Sequence, residues 1–150
     1  MHISTLQMQY GISFENISKS LASFNADNHL DSFNNGNSAN WLISHITATR
    51  QIPLMFAGQE TIWKPEQIQR WGREPAPLVA AEAIDWQQLL GDLETSGNML
   101  MGFLATANEE TLAIETPVGK IGSALAFLVT HEHHHSGQLA YLASAIKSQE

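Results

Sequence analysis

The stretch SALAFLVTHEHHHSGQLAYLASAI, residues 123–146, decides the fold. Its apolar residues recur at spacings of three and four, which is typical of an amphipathic helix. Three further segments, beginning near Ser4, Asn37 and Asp85, show the same periodicity, and no segment has a convincing strand pattern. Four amphipathic helices predict an all-α fold, because a four-helix bundle is the smallest architecture that hides four apolar stripes at once.

Turn and capping residues set the bounds of the second helix and of the connection that follows it. The turn-rich segment 34–37 ends the first pattern, and either Asn37 or Ser38 can cap the second helix. Pro53 is expected to kink or end that helix because it has no amide hydrogen to donate. Residues 59–83 then form a long connection, which could cross the length of the bundle before the third helix begins.

Length and composition predict one domain covering residues 1–150 and exclude several kinds of site. The net charge is -8 with histidine neutral, so a nucleic-acid partner is not expected, since phosphates are bound by basic surfaces. The chain has no cysteine, which excludes disulfides, cysteine-based zinc sites and a protein thiol nucleophile. No signal peptide or membrane span is readable, so we expect a cytoplasmic protein with no membrane partner.

The histidine-rich run 131–135 places imidazoles on the apolar side of the last helix. Each helical residue turns by about 100°, so His131 and His135 lie about 40° apart, one turn above the other. Gln138 falls on the same stripe, whereas His133 falls on the side expected to face solvent. The stripe's apolar members are Ala124, Phe127, Leu128, Leu142 and Ile146, and the opposite side holds Ser136, Gly137, Ala140, Ser144 and Lys147.

His45 makes the same pattern on the second helix, in a stripe that includes Trp41, Leu42, Ile52 and Phe56. Burying an imidazole costs free energy of folding unless its nitrogens have hydrogen-bond or metal partners. One divalent metal ion bound by His45, His131 and His135 would satisfy all three rings. Three protein ligands leave positions open for water or substrate, which is typical of a catalytic site.

Other interpretations of these histidines stay open at this stage. A single histidine on an apolar face is more often a hydrogen-bonded core residue, and histidine pairs one turn apart also occur on exposed helix ends. The ion could be a structural clip in a non-catalytic bundle or in a dimeric binding module. The run could also be an exposed, metal-free cluster that acts as a pH-sensitive contact.

The two histidine motifs resemble those of the DinB-like (DinB/YfiT) superfamily of metalloenzymes. The motifs are NWLISHI, residues 40–46, and HEHHHSGQL, residues 131–139, with the turn PVG, residues 117–119, shortly before the second. The resemblance covers essentially the whole chain, in the order of the four helices and the long second connection.

The resemblance implies a four-helix bundle, often homodimeric, with a nickel, zinc or iron ion on three histidines. By position these ligands are His45, His131 and His135. Some relatives transfer low-molecular-weight thiols to electrophiles or isomerise with thiol help, and others are suspected hydrolases. The implied function is therefore a metal-dependent thiol S-transferase or hydrolase, in which the ion activates a thiol or water. One departure is Ser136, where relatives often have arginine.

Two polar residues beside the histidines have both a functional and a structural interpretation. Gln138 either orients a metal ligand through its amide or packs between helices. Glu132 could act as a general base. It lies about 100° from His131 around the helix, however, which favours a solvated or inter-helix position.

Four aromatic residues near the motifs are also open to two interpretations. Trp41 and Tyr141 either wall a substrate pocket or belong to the core, which is the commoner role. Trp63 and Trp71 in the long connection either form a lid over the bundle mouth or pack the connection onto the helices. The packing role is favoured.

Overall fold

The computed structural model describes residues 2–73 and 76–149, and most of them are helical. This confirms the predicted all-α class. The helices are α1 (Ile3–Leu21), α2 (Ala39–Phe56), α3 (Pro65–Ile68), α4 (Trp86–Thr106), α5 (Glu109–Leu112) and α6 (Ile121–Lys147). A π-helical turn, Gln69–Arg73, follows α3, and a 3-10 turn occupies Ala80–Glu82. No helix in the described residues is both long and apolar enough to cross a membrane.

The bounds of α2 follow from local chemistry, with one exception. Ser38 caps the first turn, and Gly58 adopts a φ of 69° two residues after the helix ends. The helix does not end at Pro53 but continues to Phe56. All residues from Ala39 to Leu54 are buried, so packing on every side outweighs the one hydrogen bond that proline removes.

A small hairpin precedes α6, although the sequence showed no strand pattern. Its strands are β1 (Glu115–Thr116) and β2 (Gly119–Lys120), which pair antiparallel. Gly119 has a φ of 100°, a conformation that glycine adopts without strain. The Thr116 hydroxyl donates to the Gly119 carbonyl at 2.6 Å. Strands of two residues are too short for an alternating pattern to reveal them.

Two apolar clusters form the core, and their membership shows the direction of each long helix. The smaller cluster consists of Leu6, Tyr10, Leu54, Leu100, Phe103, Leu104, Ile121, Leu125 and Val129. The larger cluster includes Ile17, Phe24, Leu42, Ile46, Trp86, Leu89, Leu139 and Leu142. Helices α1 and α6 therefore run from the smaller to the larger cluster, and α2 and α4 run the opposite way. The connection between α2 and α4 returns the chain along their length.

The long connection packs onto the helices. Trp63 and Trp71 are each 5% exposed, and the Trp63 indole N–H donates to the Asp92 carboxylate at 2.8 Å. The packing interpretation is confirmed for both tryptophans. The π turn lies so close to α2 that a Cβ on Gly72 would come within 3.2 Å of Ala48. Glycine at this position therefore lets the π turn approach the helix that carries His45.

Candidate metal centre

His45 from α2 meets His131 and His135 from α6 inside the protein. The Nε2 atom of His131 lies 3.2 Å from Nε2 of His45 and 3.1 Å from Nε2 of His135. Potential ligand atoms of all three residues lie within 4.8 Å of one another. His45 is 3% exposed and His135 8%, while His131 is half-buried. Three histidines that the sequence placed on two separate stripes are therefore brought together, and they can hold a metal ion.

The spacing of these nitrogen atoms fits one divalent ion. With metal–nitrogen bonds of about 2.0–2.1 Å, two nitrogens this far apart subtend an angle of about 100° at the metal. That angle lies between the values of about 90° and about 109° that octahedral and tetrahedral coordination require. The two distances from His131 are therefore compatible with one shared ion.

Hydrogen bonds on the far side of two rings direct their Nε2 lone pairs into the site. The His45 Nδ1–H donates to the carbonyl of Trp71, and the His135 Nδ1–H donates to Oε1 of Gln138 at 2.7 Å. Both partners are oxygen acceptors, so Nε2 of each histidine carries a lone pair. Neutral His131 has a single N–H and can satisfy only one of these lone pairs. A shared cation would satisfy both, together with the lone pair of His131 itself.

Burial keeps the three imidazoles in the neutral form that binds metals. Desolvation lowers the pKa of His45, and it lowers the pKa of both His131 and His135 to about 4. Neighbouring imidazoles act in the same direction, because two positive rings would repel each other. The bond to Gln138 partly opposes the effect at His135. At neutral pH the site therefore presents unprotonated nitrogens.

The metal-free protein is expected to lose stability as the pH falls from about 6.5 towards 4. In this window the unfolded chain binds protons that His131 and His135 in the folded chain do not, so acid favours unfolding. Urea unfolding of chelator-treated protein at pH 7 and pH 5 measures the difference, and the midpoint should be lower at pH 5. The urea midpoint of the double variant His131→Asn, His135→Gln should depend less on pH. An equal dependence in variant and parent would contradict the prediction.

Glu132 forms a buried ion pair between helices, as the inter-helix interpretation predicted. Its Oε1 accepts from Arg50 Nη2 at 2.9 Å and from the Ser13 hydroxyl at 2.8 Å, while Oε2 accepts from Arg50 Nε at 3.0 Å. Glu132 is 1% exposed and Arg50 3%. Because three donors from α1 and α2 occupy the carboxylate, it is not free to act as a general base at the histidines.

Arg50 was not identified from the sequence, although a signal was present. It is the only charged residue in α2, and a charge inside a buried helix requires a partner. Its Nη1 also donates to the Leu93 carbonyl at 3.0 Å, and its guanidinium lies 3.9 Å from the centre of the Phe14 ring. A Cβ on Gly97 would lie 3.1 Å from Nη1, so this glycine makes room for the guanidinium.

Four residues of α6 differ in exposure from what the sequence predicted. Phe127 and Tyr141 are 66% and 62% exposed, and Gln138 is also exposed, although its amide still holds His135. Ser136 was expected to face solvent but is only 4% exposed. The reason is that α6 packs against α1 as well as α2, which shifts its buried side towards Glu132 and Ser136.

Two cavities flank the histidines. The His131 cavity, about 260 Å³, lies between α2, the π turn, the hairpin and α6, and His131 forms part of its wall. A second cavity of about 470 Å³ is lined by Gln138 and Tyr141. Trp41 is buried and stacks on the His45 ring with centroids 5.0 Å apart. Of the two aromatic residues considered as pocket walls, Tyr141 lines a cavity and Trp41 packs behind a histidine.

Comparisons with known proteins do not assign a family to this chain. No protein-family model matches it, and no curated protein matches it. Membership of the DinB-like superfamily therefore stays a prediction from the two motifs, and function has to be argued from the geometry of the site.

Proposed function

We propose that this protein is a metal-dependent enzyme whose divalent ion, nickel, zinc or iron, is bound by His45, His131 and His135. The observation that supports the proposal is the approach of the three Nε2 atoms, with His131 within 3.2 Å of both partners. When bound, the ion lowers the pKa of a thiol or a water molecule and makes it a nucleophile at neutral pH.

Two features favour a catalytic ion over a structural one. Among the described residues, only these three histidines form a group of potential ligands, so a four-coordinate ion keeps one position open. His131 is half-buried and lines a cavity, which gives a small molecule access to that position. The alternative is a non-catalytic protein, including a dimeric binding module, in which the ion only stabilises the fold.

The residues around the histidines fix the direction of two ligands. The Trp71 carbonyl and the Trp41 ring hold His45, and Gln138 holds His135. An acceptor on Nδ1 sets the tautomer and makes Nε2 a stronger metal ligand. These contacts favour a site that is formed before the ion binds.

The reaction class follows from the resemblance and from what the chain lacks. The sequence contains no cysteine, so a thiol nucleophile would have to come from a low-molecular-weight cosubstrate. Transfer of such a thiol and hydrolysis by activated water are the two reactions we propose for the site. The four-helix bundle implied by the resemblance is supported by the packing of α1 and α2, each against both α4 and α6.

Cobalt(II)-loaded protein, prepared without a histidine tag, tests whether the ion has an open position. Addition of 2-mercaptoethanol is expected to produce a sulfur-to-cobalt charge-transfer band in the near ultraviolet, because the thiol reaches the ion through the cavity. Ethylene glycol, which lacks sulfur, should not produce this band. A cobalt spectrum that stays unchanged at high thiol concentration would favour the structural ion.

A further inference from the structure

The His131 cavity combines apolar walls with one positive charge. Its apolar walls include Ile52, Val118, Phe127 and Leu128, and its one charged side chain at neutral pH is that of Arg73. Phe127 is 66% exposed and Val118 48%. Large apolar side chains that remain exposed at the mouth of a cavity are typical of a binding surface.

Arg73 is the one cationic side chain among the residues that line this cavity. Its side chain is exposed, and no carboxylate of the described residues lies within the 4.0 Å of an ion pair. Its guanidinium lies 5.4 Å from the centre of the Phe56 ring. The chain as a whole carries a net charge of -8 and repels anions, so an anion would bind only where a cation is specifically placed.

The π turn connects this cation to the candidate metal centre. Within Gln69–Arg73, the Trp71 carbonyl accepts from His45, Gly72 packs against α2, and Arg73 lines the cavity. One short segment therefore positions both a histidine of the site and the cation beside it. Short π-helical turns are frequent at functional sites.

We propose that the His131 cavity binds a small organic carboxylate, with its carboxylate paired to Arg73 and its apolar body against Ile52, Phe127 and Leu128. A single guanidinium matches the charge and the planar shape of one carboxylate. The volume of about 260 Å³ limits the ligand to a small molecule. The proposal names the substrate class of the site. It rests on the proposed function in treating the bound carboxylate as a substrate, whereas binding itself can be measured without catalysis.

Hexanoate is a suitable probe, with hexanol and hexylamine as the neutral and cationic molecules of the same length. Titration of isotope-labelled protein, followed by the amide signals of Gly72, Ser123 and Phe127, gives a dissociation constant for each. Hexanoate is expected to bind most tightly, with and without zinc. Equal binding of hexanoate and hexanol would overturn the assignment of an anion site.

Variants of the cavity test the two parts of the proposal separately. Arg73→Gln should weaken hexanoate binding by up to about fivefold, the upper end for an exposed ion pair, and should leave the binding of hexanol unchanged. Ser123→Trp, at an exposed position in the cavity wall, should remove the binding of both. The control is Lys120→Gln, which removes a cation from the neighbouring hairpin outside the cavity and should bind like the parent.

Failure of this proposal is distinguishable from failure of the proposed function. If hexanoate binds only when zinc is present, its carboxylate binds the ion and the proposal is wrong while the metal site stands. If hexanoate binds Arg73→Gln as tightly as the parent without zinc, Arg73 does not hold the carboxylate, and the proposal is wrong whatever the outcome for the metal site. If the protein binds no stoichiometric metal but hexanoate binding still depends on Arg73, the carboxylate site stands and the metal-dependent function is wrong.

Discussion

Replacing Glu132 with leucine is expected to lower the free energy of unfolding by about 3–5 kcal/mol, because Arg50 is left charged, buried and without its carboxylate. Folded proteins are stable by only about 5–15 kcal/mol, so this loss is a large part of the total. Urea unfolding of the parent and the variant measures it. The ion pair lies between the two apolar clusters and joins α1, α2 and α6, so its loss also removes a contact that orients the histidine-bearing helix.

The double variant Arg50→Met, Glu132→Leu is the control for this prediction. Replacing both charges with apolar groups removes the unpaired charge, so the double variant should be more stable than the single one and within about 2 kcal/mol of the parent. The Leu93 carbonyl keeps a donor in the double variant, since the Ser96 hydroxyl donates to it at 2.9 Å. A double variant less stable than Glu132→Leu would show that the carboxylate and the guanidinium act independently.

Loss of any one of the three histidines is expected to weaken metal binding by more than about a hundredfold. Mutation of a group that only hydrogen-bonds to a metal ligand typically lowers metal affinity by about tenfold to a hundredfold, and loss of the ligand itself should lower it further. His45→Ala, His131→Ala and His135→Ala are compared with the parent by zinc titration calorimetry and by elemental analysis of untagged protein. The parent should bind about one ion per chain.

Two further variants serve as references for the expected loss of metal affinity. His133→Ala removes a histidine from the same run, whose Nε2 lies 3.1 Å from the Gln9 amide oxygen on α1, and it should bind zinc like the parent. Gln138→Leu removes the acceptor on His135 and should weaken binding by about tenfold to a hundredfold. Unfolding curves for each variant show whether it is folded. A folded alanine variant that retains parental metal affinity would contradict the assignment of that ligand.

The sequence predicted the long helices well because their signals are local. Apolar spacing and the cap at Ser38 act within one or two turns of chain. The same local geometry placed His45, His131 and His135 on apolar stripes. It could not show how wide the buried side of α6 is, which depends on a second neighbouring helix and explains the exposed Phe127.

The contacts that complete the candidate site were beyond prediction because their partners are far apart in the chain. The Trp71 carbonyl that fixes His45 is 26 residues away, and no side-chain pattern identifies which backbone oxygen will be reached. Arg50 and Glu132 are 82 residues apart. A lone charge in a buried helix indicates that a partner exists, but only packing selects it.

The sequence alone predicted a helical chain with imidazoles directed inward from two of its helices, because helical periodicity determines which side chains share a face. Tertiary structure decided that these rings meet within hydrogen-bonding distance, that a π turn brings Trp71 and Arg73 to them, and that Glu132 is buried in an ion pair. Those outcomes depend on the relative placement of distant segments, which non-local packing sets.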